Sequence, residues 1–241
     1  MKHAGKFAVL AALLGIVAVV LMLFGAKLGL WQPIVGFGLY RNYMNPLGAV
    51  VTVIGLLALV VHLARDEKRG AFAAVIGVMV GLACLIPLVA GKLNPPQRAA
   101  PIHDISTDTV NPPMFEALDD AREGAANTLE YGGPELAATQ MRAYPDIQPL
   151  DTDMNSDKAF QRALTIAADM DWEIVATVPE RLRFEATTHT PVFHFADDIV
   201  IEVTQQDNGS RVDMRSVSRI GRGDKGVNAA RIREFQARFM E

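Results

Sequence analysis

Long apolar runs fill the first part of the chain, and shorter runs of alternating polar and apolar residues fill the second. Three stretches, at about 7–26, 46–63 and 71–90, contain no Asp, Glu, Lys or Arg. At about 1.5 Å per residue, each is long enough to cross a hydrocarbon core of ~30 Å as a helix. One such run fits a buried helix of a soluble protein, but three in succession do not. The sequence therefore predicts a three-helix transmembrane bundle over residues 1–93.

The first span has the basic start of a signal peptide, with Lys2 and Lys6 ahead of the apolar run. That run exceeds the roughly 7–15 residues of a cleaved signal, and no small-residue cleavage site precedes Lys27. We therefore expect a retained signal-anchor.

Basic residues in the short loops set the orientation. The N-terminus and the second loop carry five Lys or Arg, whereas the first loop and the stretch after the third span carry four. Because three spans place the two ends of the chain on opposite sides, this bias predicts a cytoplasmic N-terminus. The rest of the chain would then lie in the periplasm of a bacterium, behind a multi-pass inner-membrane anchor.

The spans have the character of an anchor. Charged side chains inside a membrane usually mark a transport path, and these spans contain none. Gly77 and Gly81 form a small-x-x-x-small pair, which favours close helix packing within the bundle. Trp31, Tyr40 and Tyr43 are typical of a membrane interface, so we expect the first loop to lie along the outer membrane surface.

After an extended linker at 94–101, residues 102–241 have the pattern of one soluble domain. Alternating strands are predicted at 172–178, 181–188, 192–195 with 199–204, and 211–220, and Asp207-Asn208-Gly209 marks a hairpin. Helices are expected at about 116–126, 156–169 and 228–239. This order predicts an α+β fold, with an antiparallel sheet of about four strands covered by helices on one face and charged and solvated on the other.

Charge separates the two parts of the chain. Residues 1–94 carry a net charge of +6, and residues 95–241 carry −10. Because the domain is acidic, we expect no nucleic-acid partner. Cys84, the single cysteine, lies in the third span, which excludes a disulfide within one chain and a thiolate metal cluster.

The densest polar segment runs over 215–228, within a stretch at 211–238 that has eight basic and three acidic residues. Three glycines lead from a strand to a helix N-terminus, where amide groups and the helix dipole favour an anion. The candidate binding residues are Arg215, Ser216, Ser218, Arg219, Arg222, Asp224 and Asn228, with Lys225 as a further cation. The alternative is a structural face on which Arg211, Asp213 and Arg215 pair with charges on neighbouring strands, such as Glu202, Glu185 and Arg183.

A second polar cluster contains Asp104 and Asp108, beside His103. It has the oxygen groups of a cation site, but turn chemistry ahead of the prolines explains it better. Asp197-Asp198 is read as a bulge or turn, because adjacent strand residues point to opposite faces. The sequence contains no Walker motif, no His-Glu-x-x-His, no Gly-x-Ser-x-Gly and no Cys/His nucleophile pair, and the spacing of His189 and His194 matches no standard metal site. We therefore predict no catalytic residue, metal or cofactor.

Several segments occur in a characteristic order: His103-Asp104-Ile105-Ser106-Thr107-Asp108, Asn111-Pro112-Pro113, Tyr144-Pro145-Asp146-Ile147, Asp197-Asp198 and 210–228. Together they resemble the domain of unknown function 1499 family (DUF1499) over roughly residues 100–240. The resemblance implies a bacterial or plastid protein whose domain often follows a few membrane helices. It implies no activity, but it is densest over 210–228 and so adds weight to a site there.

The leading hypothesis is a membrane-tethered periplasmic domain that binds an anionic ligand, a lipid headgroup or an envelope protein partner. The ligand would lie between the loops at 102–113 and 215–228. The alternatives are a cell-envelope hydrolase that uses Asp104, Asp108 or His103, and a membrane scaffold subunit. Besides these partners, the bilayer itself is expected to contact the spans.

Overall fold

The computed structural model describes residues 3–95 and 99–241. The chain divides into two compact units, of which the first contains Met1–Gln97 with Pro191–His194 and the second contains Arg98–Thr190 with Phe195–Glu241. Part of the predicted linker, at 96–98, lies outside the described residues, as does Lys2.

Three helices form the first unit: α1 (Ala4–Phe24), α2 (Pro33–Leu63) and α3 (Lys68–Leu93). All three are long and apolar enough to cross a membrane. The prediction of three apolar helices is confirmed, but the start of α2 was placed thirteen residues too late. Gly36, Gly38 and the polar residues before Pro46 interrupt the apolar run there, although they do not interrupt the helix.

Small residues let the three helices approach closely. Ala8, Ala58 and Ala74 form the centre of the bundle. Gly77 of α3 faces Ala8 of α1, and Gly81 faces Thr52 of α2. Both glycines of the predicted motif therefore lie inside this bundle.

His62 closes one end of the bundle. Its Nε2 accepts a hydrogen bond from the Gly5 amide at 2.8 Å, so the ring proton is on Nδ1 and is donated to the Glu67 carboxylate at 2.6 Å. This histidine satisfies an amide in the first turn of α1 that has no partner within the helix.

The second unit has three helices, α4 (Gly133–Ala143), α5 (Ser156–Asp169) and α6 (Val227–Met240), with a short 3-10 turn at Pro179–Arg181. Its strands are β1 (Asp104–Ser106), β2 (Leu150–Thr152), β3 (Glu173–Val178), β4 (Arg183–His189), β5 (Ala196–Gln206) and β6 (Gly209–Ser218). They form one antiparallel sheet in the order β1-β6-β5-β4-β3, and β2 also pairs with β6. The α+β prediction is confirmed, with six strands rather than about four.

One face of the sheet forms the hydrophobic core with α5 and α6. Phe184, Ile201 and Met214 of the sheet are buried against Phe160 of α5 and Phe235 of α6. Asn155 caps α5 by accepting a hydrogen bond from the Lys158 amide at 2.9 Å. The predicted apolar spacing of these two helices therefore places them on the sheet.

The other face is charged, as its alternation predicts, but it is not solvated. Arg183, Glu185, Asp198 and Arg215 are all buried. Residues 107–132, which we call the cover segment, lie over them without a helix or strand of their own. The expectation of a solvated face was wrong, because alternation shows which side chains share a face but does not show what covers it.

The predicted helix at 116–126 does not form. Instead, the amides of Glu116, Ala117 and Leu118 donate to the carboxylate of Glu185, at distances of 2.7–3.1 Å. A carboxylate of β4 thus satisfies three successive amides of a segment that forms no helix. The predicted strand at 192–195 does not form, because residues 191–194 make a turn. The segment at 102–113, read as loop, contributes β1.

Candidate functional site

Most of the basic residues at 211–238 are paired with carboxylates of the same domain. Six of the eight form ion pairs, each with a different partner. The pairs are Arg211–Asp151, Arg215–Asp104, Arg219–Asp198, Arg231–Asp197, Arg233–Asp146 and Arg238–Glu234. The positive cluster seen in the sequence is therefore largely neutralised in the fold.

Arg215 is fully buried and its hydrogen-bonding groups are occupied. Its Nε and Nη2 atoms donate to the two carboxylate oxygens of Asp104, at 2.9 and 2.8 Å. The same guanidinium donates to the carbonyls of Leu129 at 2.8 Å and Pro113 at 3.3 Å, both in the cover segment. The Tyr131 ring lies 5.2 Å from its central carbon. Arg215 thus fixes the cover segment to the sheet.

Asp198 lies between two arginines. Its carboxylate accepts hydrogen bonds from Arg122 Nε at 2.5 Å, from Arg219 at 2.8–3.1 Å and from the Thr187 hydroxyl at 2.9 Å. Arg219 also donates to the carbonyl of Glu123 in the cover segment at 2.9 Å. Charge-assisted hydrogen bonds of this kind are short and strong, so Asp198 joins Arg122 of the cover segment to Arg219 at the end of β6.

Asn228, in the first turn of α6, links the helix to the end of the sheet. Its amide nitrogen donates to the His103 carbonyl and to Ser218 Oγ, each at 2.9 Å. Its side-chain oxygen accepts from Ser216 Oγ at 2.7 Å and from Arg231. Asn228 and Ser216 are fully buried, so these two candidate residues hold α6 in register with β6.

The helix N-terminus that the sequence offered to an anion already holds one. The carboxylate of Asp224 accepts from the amides of Gly226 at 2.9 Å and Asn228 at 2.6 Å, and thereby caps α6. The Asp224 amide donates to the Ile102 carbonyl at 3.1 Å, which fixes the loop against the start of the domain. Gly221 and Gly226 have φ angles of 108° and 86°, a region that favours glycine.

Comparison with protein families matches residues 104–239 to the family described as "Protein of unknown function (DUF1499)". The match runs from the first residue of β1 almost to the end of α6, and so covers more than half of the chain. The chain belongs to the DUF1499 family. No curated protein matches it.

The DUF1499 domain places Asp104 and Asp108 in different roles. Asp104 is the partner of Arg215. Asp108 accepts from the amides of Val110 and Asn111, each at 2.8 Å, which is the turn chemistry that the sequence favoured. Asp197 and Asp198 are consecutive residues of β5, with no bulge in their pairing. The expected bulge or turn was wrong, although the two carboxylates do point to opposite faces.

Burial raises the pKa of three carboxyl groups in the DUF1499 domain. The pKa of Asp224 is raised by burial, against the amides of Asn228 and Gly226, which lower it. Asp213 and Glu202 face each other across β5 and β6, and burial is the largest cause of the raised pKa of each. Burial, followed by the charge of Asp104, raises the pKa of Tyr131 to about 12.

Arg222 differs from the other arginines of this stretch. It is exposed in the loop at 221–226 and forms no ion pair or hydrogen bond with any described residue. Lys225 is also exposed in this loop. Of the three arginines predicted to bind a ligand, Arg222 is therefore the one that is exposed to solvent. Sequence reasoning gave little role to Glu185 and none to Arg122, because the contact of each lies about seventy residues away along the chain.

Proposed function

We propose that the protein is a multi-pass inner-membrane protein of a bacterium, with a cytoplasmic N-terminus and a periplasmic DUF1499 domain. The domain binds an anionic group, such as the phosphate of a ligand or lipid headgroup, at its loop at 221–226. The bias of basic residues in the short loops supports this orientation. Three membrane-compatible helices support the anchor.

Arg222 carries the proposal. Six basic residues of the same stretch have carboxylate partners within the domain, whereas the described residues provide none for Arg222. A guanidinium presents its donors in a planar fork that matches phosphate and carboxylate oxygens. An exposed arginine therefore attracts an anion locally, although the domain as a whole has a net charge of −10.

The position of the loop along the chain supports a ligand near the bilayer. The backbone amide of Asp224 donates a hydrogen bond to the carbonyl of Ile102, near the start of the domain. Eight peptide steps separate Pro101 from Leu93, which is the last residue of α3. A fully extended chain of this length spans at most about 28 Å. The linker thus limits how far the domain can move from the end of the third span.

Native mass spectrometry of the full-length protein, released from membranes in mild detergent, tests the binding proposal. We expect an anionic adduct on the wild-type protein that Arg222→Glu loses. Arg142→Glu is the matched control, because Arg142 is also exposed and forms no ion pair with the described residues. An adduct that both variants retain equally, or no adduct on the wild type, would contradict the proposal. Adduct masses distinguish a lipid from a free phosphate.

Reporter fusions test the orientation separately. Alkaline phosphatase folds to an active form only outside the cytoplasm, so a fusion after Glu241 should be active and a fusion before the first span inactive. The reverse pattern would contradict a periplasmic domain.

A further inference from the structure

Helix α2 is longer than the hydrocarbon core of a membrane is thick. It has 31 residues, which corresponds to about 46 Å at 1.5 Å per residue. The hydrocarbon core measures about 30 Å. Residues 46–63 alone span about 27 Å, which nearly equals the thickness of the core. The thirteen residues before Pro46 are therefore not needed to cross it.

The contacts of α2 with α1 show that these thirteen residues leave the line of the span. His62 contacts Gly5, and Val51 contacts Gly15. Between these two contacts the chain advances eleven residues along α2 and ten along α1, so the two helices keep their register there. Nearer the start of α2, Gly36 lies against the carbonyl of Met22. Between the contact at Val51 and the contact at Gly36, the chain advances fifteen residues along α2 but only seven along α1, from Gly15 to Met22. A straight antiparallel pair keeps its register, because both helices rise equally per residue, so α2 bends between Gly36 and Val51.

Pro46 is the residue in this interval that explains the bend. It lies inside the helix, has no amide hydrogen for the carbonyl of Asn42, and its ring crowds that carbonyl. Proline is one of the few recognised causes of a sharp helix kink. We call residues 33–45, which precede the kink, the arm.

The arm differs in composition from the span that follows it. Tyr40, Arg41, Asn42 and Tyr43 form a polar and aromatic group, and the last three are exposed. Residues 46–63 contain no Asp, Glu, Lys or Arg. Tyrosine and arginine are the side chains that anchor helices in the headgroup region, with the apolar part of the side chain toward the acyl chains and the polar end toward water.

We propose that the arm lies in the headgroup layer of the bilayer, on the side where α1 ends, and that Arg41 binds a lipid phosphate there. The arm is continuous with a membrane-spanning segment, so a lipid surface is the partner that its position provides. The proline bend turns the helix out of the hydrocarbon core, and the length of the remaining span fits that core. This inference is independent of the ligand proposed for Arg222.

Spin-label depth measurements on the full-length protein in lipid vesicles test the position of the arm. Labels are attached to single cysteines in a Cys84→Ala background at Tyr43, at Val53 in the middle of the span and at Val110 in the cover segment. These side chains are 56%, 53% and 83% exposed, so each accepts a label. We expect the label at Tyr43 at phosphate depth, the one at Val53 accessible to oxygen and the one at Val110 to a water-soluble nickel chelate. A label at Tyr43 as deep as at Val53, or as water-accessible as at Val110, would overturn the proposal.

Lipid retention tests the role of Arg41. Arg41→Gln should reduce the phosphatidylglycerol that remains bound after purification from vesicles containing it, whereas Arg41→Lys should retain part of it. Lys27→Gln, which removes a charge outside the arm, serves as the control. Equal retention by Arg41→Gln and the wild type would overturn the assignment of phosphate to Arg41.

Discussion

Arg215 and Asp104 form a bidentate ion pair beneath the cover segment, with Nε–Oδ1 and Nη2–Oδ2 distances of 2.9 and 2.8 Å. Both side chains are buried. The pair connects β1 to β6, and the same guanidinium donates hydrogen bonds to two carbonyls of the cover segment. Two residues that the sequence placed in a binding site therefore join three parts of the fold.

Breaking this pair should destabilise the domain strongly. Arg215→Met leaves the Asp104 carboxylate buried without its partner, which typically costs about 3–5 kcal/mol. The double variant Arg215→Met/Asp104→Asn removes both charges, so its free energy of unfolding should fall by less than that of the single variant. Urea unfolding of the full-length protein in detergent, followed by Trp172 fluorescence in a Trp31→Phe background, measures both. Equal losses in the single and double variants would show that the ion pair is not what stabilises this region.

Glu185 should control the opening of the cover segment. Glu185→Gln keeps the shape of the side chain but removes the charge that binds the amides of Glu116, Ala117 and Leu118. Hydrogen bonds to a charged group contribute about 1.5–3 kcal/mol, so hydrogen exchange at these amides should become about ten-fold faster or more. Glu180→Gln, an exposed glutamate of the neighbouring turn, is the control. Unchanged exchange in Glu185→Gln would mean that other contacts hold the segment.

The covered face shows where sequence reasoning was adequate and where it was not. Alternation along β4 correctly placed Arg183 and Glu185 on one face, since side chains of a strand alternate strictly. Their partners lie about seventy residues earlier, in a segment with no periodicity of its own. Three-residue strands such as β1 and β2 are likewise too short to give a pattern. The long helices α5 and α6 were predictable because their apolar spacing is repeated over several turns.

The candidate site was predictable as a cluster but not as a set of contacts. The sequence grouped Arg215, Arg219 and Arg222 by proximity along the chain. The fold pairs the first two with Asp104 and Asp198 and leaves the third in solvent. Residue type alone does not separate these roles, because only the tertiary structure decides which carboxylate each arginine meets.

Asp213 should contribute more to the stability of the domain at acidic than at neutral pH. Its pKa is raised by burial, so the folded protein binds the proton more tightly than the unfolded chain does. The resulting stability is fully present below the unfolded pKa of about 3.9 and is lost as the pH rises through the folded pKa. Asp213→Asn should therefore raise the thermal midpoint at pH 7 and have little effect near pH 4, while it keeps the acceptor for the Thr107 hydroxyl.

The control for this experiment is Glu130→Gln, which neutralises an exposed carboxylate of the cover segment. In this variant, the difference between the thermal midpoints at pH 7 and near pH 4 should be the same as in the wild type. If Asp213→Asn behaved in the same way, the burial of Asp213 would have no bearing on the pH dependence.

Glycines in α2 should differ sharply in their tolerance of alanine. A Cβ at Gly55 would lie 2.6 Å from the backbone nitrogen of Val78 in α3, whereas a Cβ at Gly38 would meet nothing within 4 Å. Overpacking of this kind costs about 1–3 kcal/mol. Gly55→Ala should therefore unfold at lower SDS concentration and Gly38→Ala should not, as followed by Trp31 fluorescence in a Trp172→Phe background. Equal midpoints would contradict the close approach of α2 and α3.

The central claim is that the charged sheet face is closed and that Arg222 is presented to solvent. Arginine-specific labelling of the native full-length protein with phenylglyoxal, read by peptide mass spectrometry, tests it most directly. We predict rapid modification of Arg222 and Arg142, with Arg122, Arg183 and Arg215 protected until the domain is unfolded. Modification of Arg215 in the native protein at the rate of Arg222 would contradict the account.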